Sequence, residues 1–254
     1  MKKSVIAGAL LVLINMVVFA QASAADSEKA FKIMESTDEV LAYKGDYSAT
    51  ISLVIEKPGK QKENVQYKIF ERTTKDLMTI VQLFPEADKG TGFLRDGDNI
   101  WAYDPIGRKF THTSIKDALA DSDVKIDDVN QSSARWRQNY TVEEFKSGTL
   151  GKYEVYIISL KAKTNVPSYE KTVFYVRKDL SLVLKEEDYS ANGRLMRTVL
   201  YPKYSKVKPG YVPTQIIVRD ELNKGEQTQE VISDLTFDKL PDNIFTKGYL
   251  ENLN

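Results

Sequence analysis

The chain has 254 residues, with 36 Lys and Arg against 36 Asp and Glu, a single histidine and no cysteine. The lack of cysteine excludes a disulfide framework and thiolate chemistry. The even charge balance excludes the broad basic face that nucleic acid demands, so no nucleic-acid partner is expected.

The first segment reads as an export signal. Lys2 and Lys3 precede an apolar run from Val5 to Ala20, and Ala22-Ser23-Ala24 supplies a small-residue cleavage site. The run is shorter than the ~20 apolar residues of a membrane-spanning helix. Residues 1–24 are therefore expected to be a cleaved Sec-type signal peptide, and residues 25–254 a single domain. Loss of two lysines and no acid leaves 34 basic against 36 acidic residues, a net charge of −2. No linker-like composition divides the remainder.

Asp26 to about Ala42 is predicted as a helix, capped by Asp26 or Ser27 and ended by Gly45. Strands then dominate. Tyr47, Ala49, Ile51, Leu53 and Ile55 alternate with Ser48, Thr50, Ser52 and Glu56; Val65, Tyr67 and Ile69 oppose Gln66, Lys68 and Arg72. This period of two marks antiparallel strands with one wet face. Leu77–Phe84 is apolar on both faces, which predicts a covered strand. Next comes the stretch on which the chain is centred, Gly90–Pro105. Asp96-Gly97-Asp98-Asn99 forms its turn, and Trp101 and Tyr103 share one strand face.

Ser114–Ala120 reads as a short helix, and Asp121–Trp136 as an acidic, then polar segment with a helical turn. Tyr140–Phe145 and Tyr153–Leu160 read as strands around a turn at Ser147-Gly148. Further hairpins turn at Lys178-Asp179 and at Asn192-Gly193, the strongest short hairpin signal in the chain. Thr214–Arg219 and Glu230–Phe237 pair across Asn223-Lys224-Gly225. Ten or eleven strands in meander order, with few helices, predict a curled antiparallel sheet: a barrel or half-barrel with a helical cover.

Catalytic signals are sparse, and no enzyme is expected. His112 is the sole imidazole, and no G-x-S-x-G elbow is present. Asp121, Asp123, Asp127 and Asp128 lack the spacing of a calcium loop, so no metal site is assigned. Asp96 and Asp98 read as turn residues rather than an acid–base pair. Lys89-Gly90-Thr91-Gly92 lacks the helix that a phosphate loop requires, and no cofactor is expected.

Several stretches in register resemble the periplasmic outer-membrane lipoprotein-sorting proteins of the LolA/LolB-like fold group, in particular the LolA-like branch. Phe84-Pro85 followed by the segment from Lys89 to Pro105 resembles that branch's central signature. Ser122-Asp123 with Asp127-Asp128-Val129 resembles its S-D-x-x-x-E-D-L segment, though Asp121 stands where the family has glycine, and Val124 and Ile126 where it has aromatics. Gly210-Tyr211-Val212-Pro213-Thr214 resembles its G-Y/W-x-P-T strand entry. Leu240-Pro241, Phe245-Thr246 and Tyr249-Leu250 resemble its C-terminal ending. The resemblance covers almost all of residues 25–254.

The resemblance implies an unclosed half β-barrel with an α-helical lid over a hydrophobic cavity. It also implies a periplasmic carrier of lipoprotein or lipid acyl chains, working with an inner-membrane transporter and an outer-membrane acceptor. A periplasmic sensor, or an accessory subunit of an envelope transporter, is the alternative that the same fold group implies. Strand alternation nominates Ile51, Leu53, Val65, Tyr67, Ile69, Trp101 and Tyr103 as cavity-lining residues, with the Asp26–Ala42 helix and the Ser114 region as lid.

Overall fold

A computed structural model describes residues 22–129, 136–208 and 210–253. The expected signal segment therefore lies outside the described residues, except for its last three. Helix α1 (Ala24–Val40) starts two residues earlier than its apolar pattern suggests, because Ser23 caps it by accepting a hydrogen bond from the Asp26 backbone at 3.1 Å. Its buried stripe is Ala30, Met34 and Thr37.

Thirteen strands follow among the described residues: β1 (Asp46–Glu56), β2 (Glu63–Arg72), β3 (Leu77–Phe84), β4 (Gly92–Asp96), β5 (Asn99–Asp104), β6 (Lys109–His112), β7 (Tyr140–Leu150), β8 (Tyr153–Ala162), β9 (Lys171–Arg177), β10 (Val183–Tyr189), β11 (Leu195–Lys206), β12 (Tyr211–Asp220) and β13 (Gln227–Thr236). They form one antiparallel sheet in the order 6-5-4-3-2-1-13-12-11-10-9-8-7. The long-range pairing of β1 with β13 joins two meanders, and β6 and β7 remain as edges. The sheet is thus a curled, unclosed half-barrel with a partial helical cover.

Two local expectations change. Ser114–Ala120 is not helical; it is a chain of turns held by the Asp117 carboxylate, which accepts from the Thr113 hydroxyl and the Ser114 backbone. Strand β7 runs through Ser147-Gly148 and turns instead at Gly151, whose φ of +58° suits the left-handed region. The short helices α2 (Ile126–Val129) and α3 (Trp136–Asn139) flank undescribed residues.

Pairing register defines a continuous concave face. Ile51 pairs with Tyr67 and Ile232, Leu53 with Val65 and Glu230, Val218 with Val199 and Thr228, Glu186 with Val199 and Phe174, and Ile158 with Phe174. Two covers lie on this face. At the β1–β3 end, Leu119, Val124 and Ile126 pack against Ile51, Leu53, Tyr67, Ile69 and Ile80. At the β7–β9 end, Ala30 and Met34 of α1, with Trp136 of α3, pack against Val142, Ile158, Leu160 and Phe174.

The outer face has its own cover. The C-terminal helix α4 (Lys247–Glu251) buries Leu250 against Val81, Leu94 and Tyr103. Gly92 is required there: a Cβ would sit 2.6 Å from Leu250 Cδ2. Arg72 secures this C-terminal segment. Its Nε and Nη2 donate to Asp46 at 2.8 and 2.9 Å, and its guanidinium also reaches Asp242 and the Leu240 carbonyl.

Replacing Arg72 with alanine leaves Asp46 and the Leu240 carbonyl with fewer donors at a partly solvated site. Urea titration should show a loss of about 1 kcal/mol, the scale of charge-assisted hydrogen bonds weakened by solvent. Three strands across the sheet, Gly210 lies under the end of α1, where a Cβ would fall 2.3 Å from the Val40 carbonyl oxygen. Gly210→Ala should break the 2.9 Å bond from the Ala42 N–H to the Tyr211 carbonyl, and faster amide exchange at Ala42 would report it.

Candidate functional site

Among the described residues the two concave covers do not meet. Between them lies a cavity of about 270 Å³. Its apolar wall is built from Met34 of α1, Phe174 of β9, Leu182 and Val183 at the start of β10, and Ile216 and Val218 of β12. The turn carrying Val166, Pro167 and Tyr169 closes one side, and Trp136 and Tyr140 another. Tyr201 and Tyr204 stack at 6.2 Å along β11, where a register shift near Lys203 lets both reach the concave side.

Its floor is charged. Arg197 of β11 is 6% exposed and is almost fully engaged. Its Nε donates to Asp188 at 2.6 Å, and its two Nη atoms donate to both oxygens of Asp128 at 2.7 Å. The bidentate, charge-assisted pairing ties α2 to the sheet. Thr172 donates to the other Asp188 oxygen at 2.7 Å, and Tyr169 faces the guanidinium at 4.8 Å. Tyr201 donates to Glu186 at 3.3 Å. Burial pushes the Glu186 carboxyl well above its usual range, and the nearby Asp188 adds to the effect.

Glu230 of β13 is 5% exposed, borders the cavity and makes no side-chain hydrogen bond among the described residues. Burial, reinforced by Asp128, raises its carboxyl to about 8. Asp38, at the rim, is raised to about 7 by burial although it accepts a 2.7 Å hydrogen bond from Trp136 Nε1. An apolar chamber with an acidic floor can hold an amphiphile.

The nominated residues are distributed differently from their expected grouping. Ile51, Leu53, Val65, Tyr67 and Ile69 do share the concave face, but they are sealed under Leu119, Val124 and Ile126 and none borders the cavity. Trp101 and Tyr103 point to the opposite face. In the β4–β5 hairpin Tyr103 pairs with Gly92 and Trp101 with Leu94, so both side chains meet the α4 cover, while Ile100 and Ala102 face inward. His112 is exposed on edge strand β6, its ring 5.4 Å from Trp101.

Among the acids, Asp121 pairs with Lys57 at 2.6 Å. Asp123, Asp220 and Glu226 bring one oxygen each within 4.8 Å of one another. Asp123 accepts from Thr228, and Asp220 accepts from Leu222 and Asn223, so these carboxylates serve the β12–β13 turn. Sequence reasoning missed Arg197, Glu186, Asp188 and Glu230. Their signal was charged residues two apart on neighbouring strands, which alternation treats as a wet face.

No curated protein matches the chain. Solved structures do. A LolA superfamily protein from Nitrosomonas europaea shares 23% identity over 87% of this chain and 98% of its own, with a TM-score of 0.76. A putative outer membrane lipoprotein-sorting protein domain from Vibrio parahaemolyticus shares 20% over 89% and 99%, at 0.78. A DUF1329 family protein from Desulfovibrio piger shares 21% over 89% and 99%, at 0.77. A family model with the description "Uncharacterized protein" matches residues 74–252. The chain belongs to that family, and its fold is that of the LolA superfamily.

Proposed function

We propose that the protein is an exported periplasmic binding protein that takes the acyl chain of a lipid or lipoprotein into the cavity between its two covers and carries it towards the outer membrane. The observation that carries this reading is the unfilled apolar chamber bounded by Phe174, Leu182, Val183, Ile216 and Val218 on an otherwise well-covered face. The likeness to the Vibrio parahaemolyticus putative outer membrane lipoprotein-sorting protein domain supports a direction towards the outer membrane. Cleavage after Ala24 would remove the Ser23 cap, and Asp26, two residues on, would then take over the helix N-terminus.

The energetics fit a carrier. Each buried methylene is worth about 0.8 kcal/mol, so a carrier must recover much of a chain's burial to extract it from a membrane. The chamber is slightly smaller than the ~300–1,000 Å³ of common ligand pockets. It holds part of a long chain in this conformation, and a whole chain requires α1 to move. The exposed fastening of α1 to α3 suits that motion: Arg137 pairs with Glu28 at 2.7 Å and with Glu35 at 2.5 Å. Such surface pairs contribute little individually and yield to salt.

Val183→Trp should fill the chamber and weaken uptake of a fluorescent acyl probe at least about tenfold, with the circular dichroism spectrum unchanged. Leu53→Ala is the contrast. It should cost about 3 kcal/mol of stability through a core cavity and leave probe affinity unaltered. Equal probe affinity in Val183→Trp and the parent would remove the chamber from the proposed function.

A further inference from the structure

The acidic floor has no counterpart in a chamber meant for hydrocarbon alone. Five carboxyl side chains border the cavity among the described residues: Asp38, Asp128, Glu186, Asp188 and Glu230. One guanidinium, Arg197, stands against them, and Asp128 and Asp188 already engage it by hydrogen bonds. With Asp38, Glu186 and Glu230 neutral, Asp128 and Asp188 are balanced by Arg197 and by Lys125, whose Nζ lies 4.0 Å from the Tyr169 ring, so ionisation of any one of the three leaves the floor negative. Fields of this kind are strongest where water is excluded.

Glu230 sharpens the argument. It is nine-tenths buried, borders the chamber and has no hydrogen-bond partner among the described residues. Among the described residues the one fully buried side-chain polar atom without a partner is Ser159 Oγ, so the Glu230 carboxyl keeps contact with open space in the chamber, where a ligand can reach it. The groups around it supply no cation. Asp128 approaches from α2, Tyr43 from the segment after α1, and Tyr47 from β1. Both tyrosine hydroxyls are held above their ordinary range by burial, so they stay neutral. Its neighbours across the strands, Leu53 and Ile216, are apolar.

We infer that the chamber selects an amphiphile with a positively charged amine, whose ammonium group sits at the Glu230 end of the floor while its hydrocarbon lies along Val183, Ile216 and Phe174. The inference rests on the acyl-chain reading and specifies the polar end of the ligand. A carboxylate or phosphate at the same place would meet the uncompensated acids and be rejected.

The sign of the pH dependence follows. Free Glu230 is protonated below about 8, and an ammonium ion needs it ionised. Binding therefore releases a proton, and affinity for the amine rises as pH increases from about 6 to about 8, then levels off. An alkylamine stays protonated over that range, as a lysine does. Stability of the empty protein moves the other way. The folded state holds the Glu230 proton more tightly than the unfolded chain, so stability is lost as pH rises from the model carboxyl value of 4.5 towards about 8.

The test uses the signal-free protein and three probes of equal chain length below their micellar concentrations: dodecylammonium, dodecanol and dodecanoate. Isothermal titration at neutral pH should give an affinity for dodecylammonium at least about tenfold above that for dodecanol, with dodecanoate weakest. Glu230→Gln should erase the preference for the amine and its pH dependence, and keep the affinity for dodecanol. Its thermal melt should decline less steeply with pH than the parent's, because Asp38, Glu71 and Glu186 keep their raised carboxyls, and the melt also reports that the variant folds. Equal affinities for amine and alcohol, or an unchanged preference in Glu230→Gln, would overturn the inference and leave the acyl-chain reading intact. Failure of all three probes to bind would overturn both.

Discussion

The ion cluster at Arg197 determines where this molecule can be hollow. An open sheet buries one face only if something covers it, and here two short covers share the task. The guanidinium spans Asp188 of the sheet and Asp128 of the β1-side cover, so it stops that cover at a fixed point. Helix α1 stops from the other side, where Met34 and Trp136 meet Phe174. The remaining gap is the chamber. Replacing the cluster by hydrocarbon of similar volume would suit stability at least as well, since buried ion pairs seldom repay their desolvation. Its presence is better understood as a device for position and for charge.

This arrangement separates two jobs along one face. The β1–β3 end is a conventional core, with Ile51, Leu53, Tyr67 and Ile69 packed against Leu119, Val124 and Ile126. The β9–β13 end keeps mixed lining: Phe174, Val183 and Ile216 beside Glu186 and Glu230. Stability and recognition therefore draw on different strands. A chain with one uniform apolar face would have had no reason to leave space at all.

Much of the architecture is legible in the residues. The alternation of β1 and β2 places their inward side chains, and Asp96-Gly97 and Asn192-Gly193 place two hairpins, with both glycines at positive φ. The site is less legible, for physical reasons. Trp101 and Tyr103 are apolar on a strand whose other face is also apolar, and only the distant Leu250 decides which pair it covers. Strand β10 carries Lys185, Glu186, Glu187 and Asp188 in succession, a pattern with no dry face until Arg197 of β11 lies beside it. Sequence periodicity reports burial by hydrocarbon; it is silent about burial by charge neutralisation. The Ser114 segment misleads in the opposite sense, because the Asp117 carboxylate holds turns where spacing suggests a helix.

The close passage of Gly210 beneath Val40 has a mechanical meaning. There α1 is joined to β12 backbone to backbone, through the Ala42 amide and a parallel bridge between Leu41 and Tyr211. At the opposite end the Ala22 N–H donates to the Glu143 carbonyl of β7 at 3.1 Å, a bond that cleavage after Ala24 would remove; the rest of the helix is held by side chains, Met34 in the apolar seam and the Arg137 pairs in water. The attachments thus differ in kind, a fixed pivot at one end and releasable fasteners along the length. A helix mounted this way swings rather than lifts. Once that bond is gone, its travel is greatest at the Asp26 end and smallest beside Tyr211, so the mouth it uncovers is a wedge, narrow at the pivot.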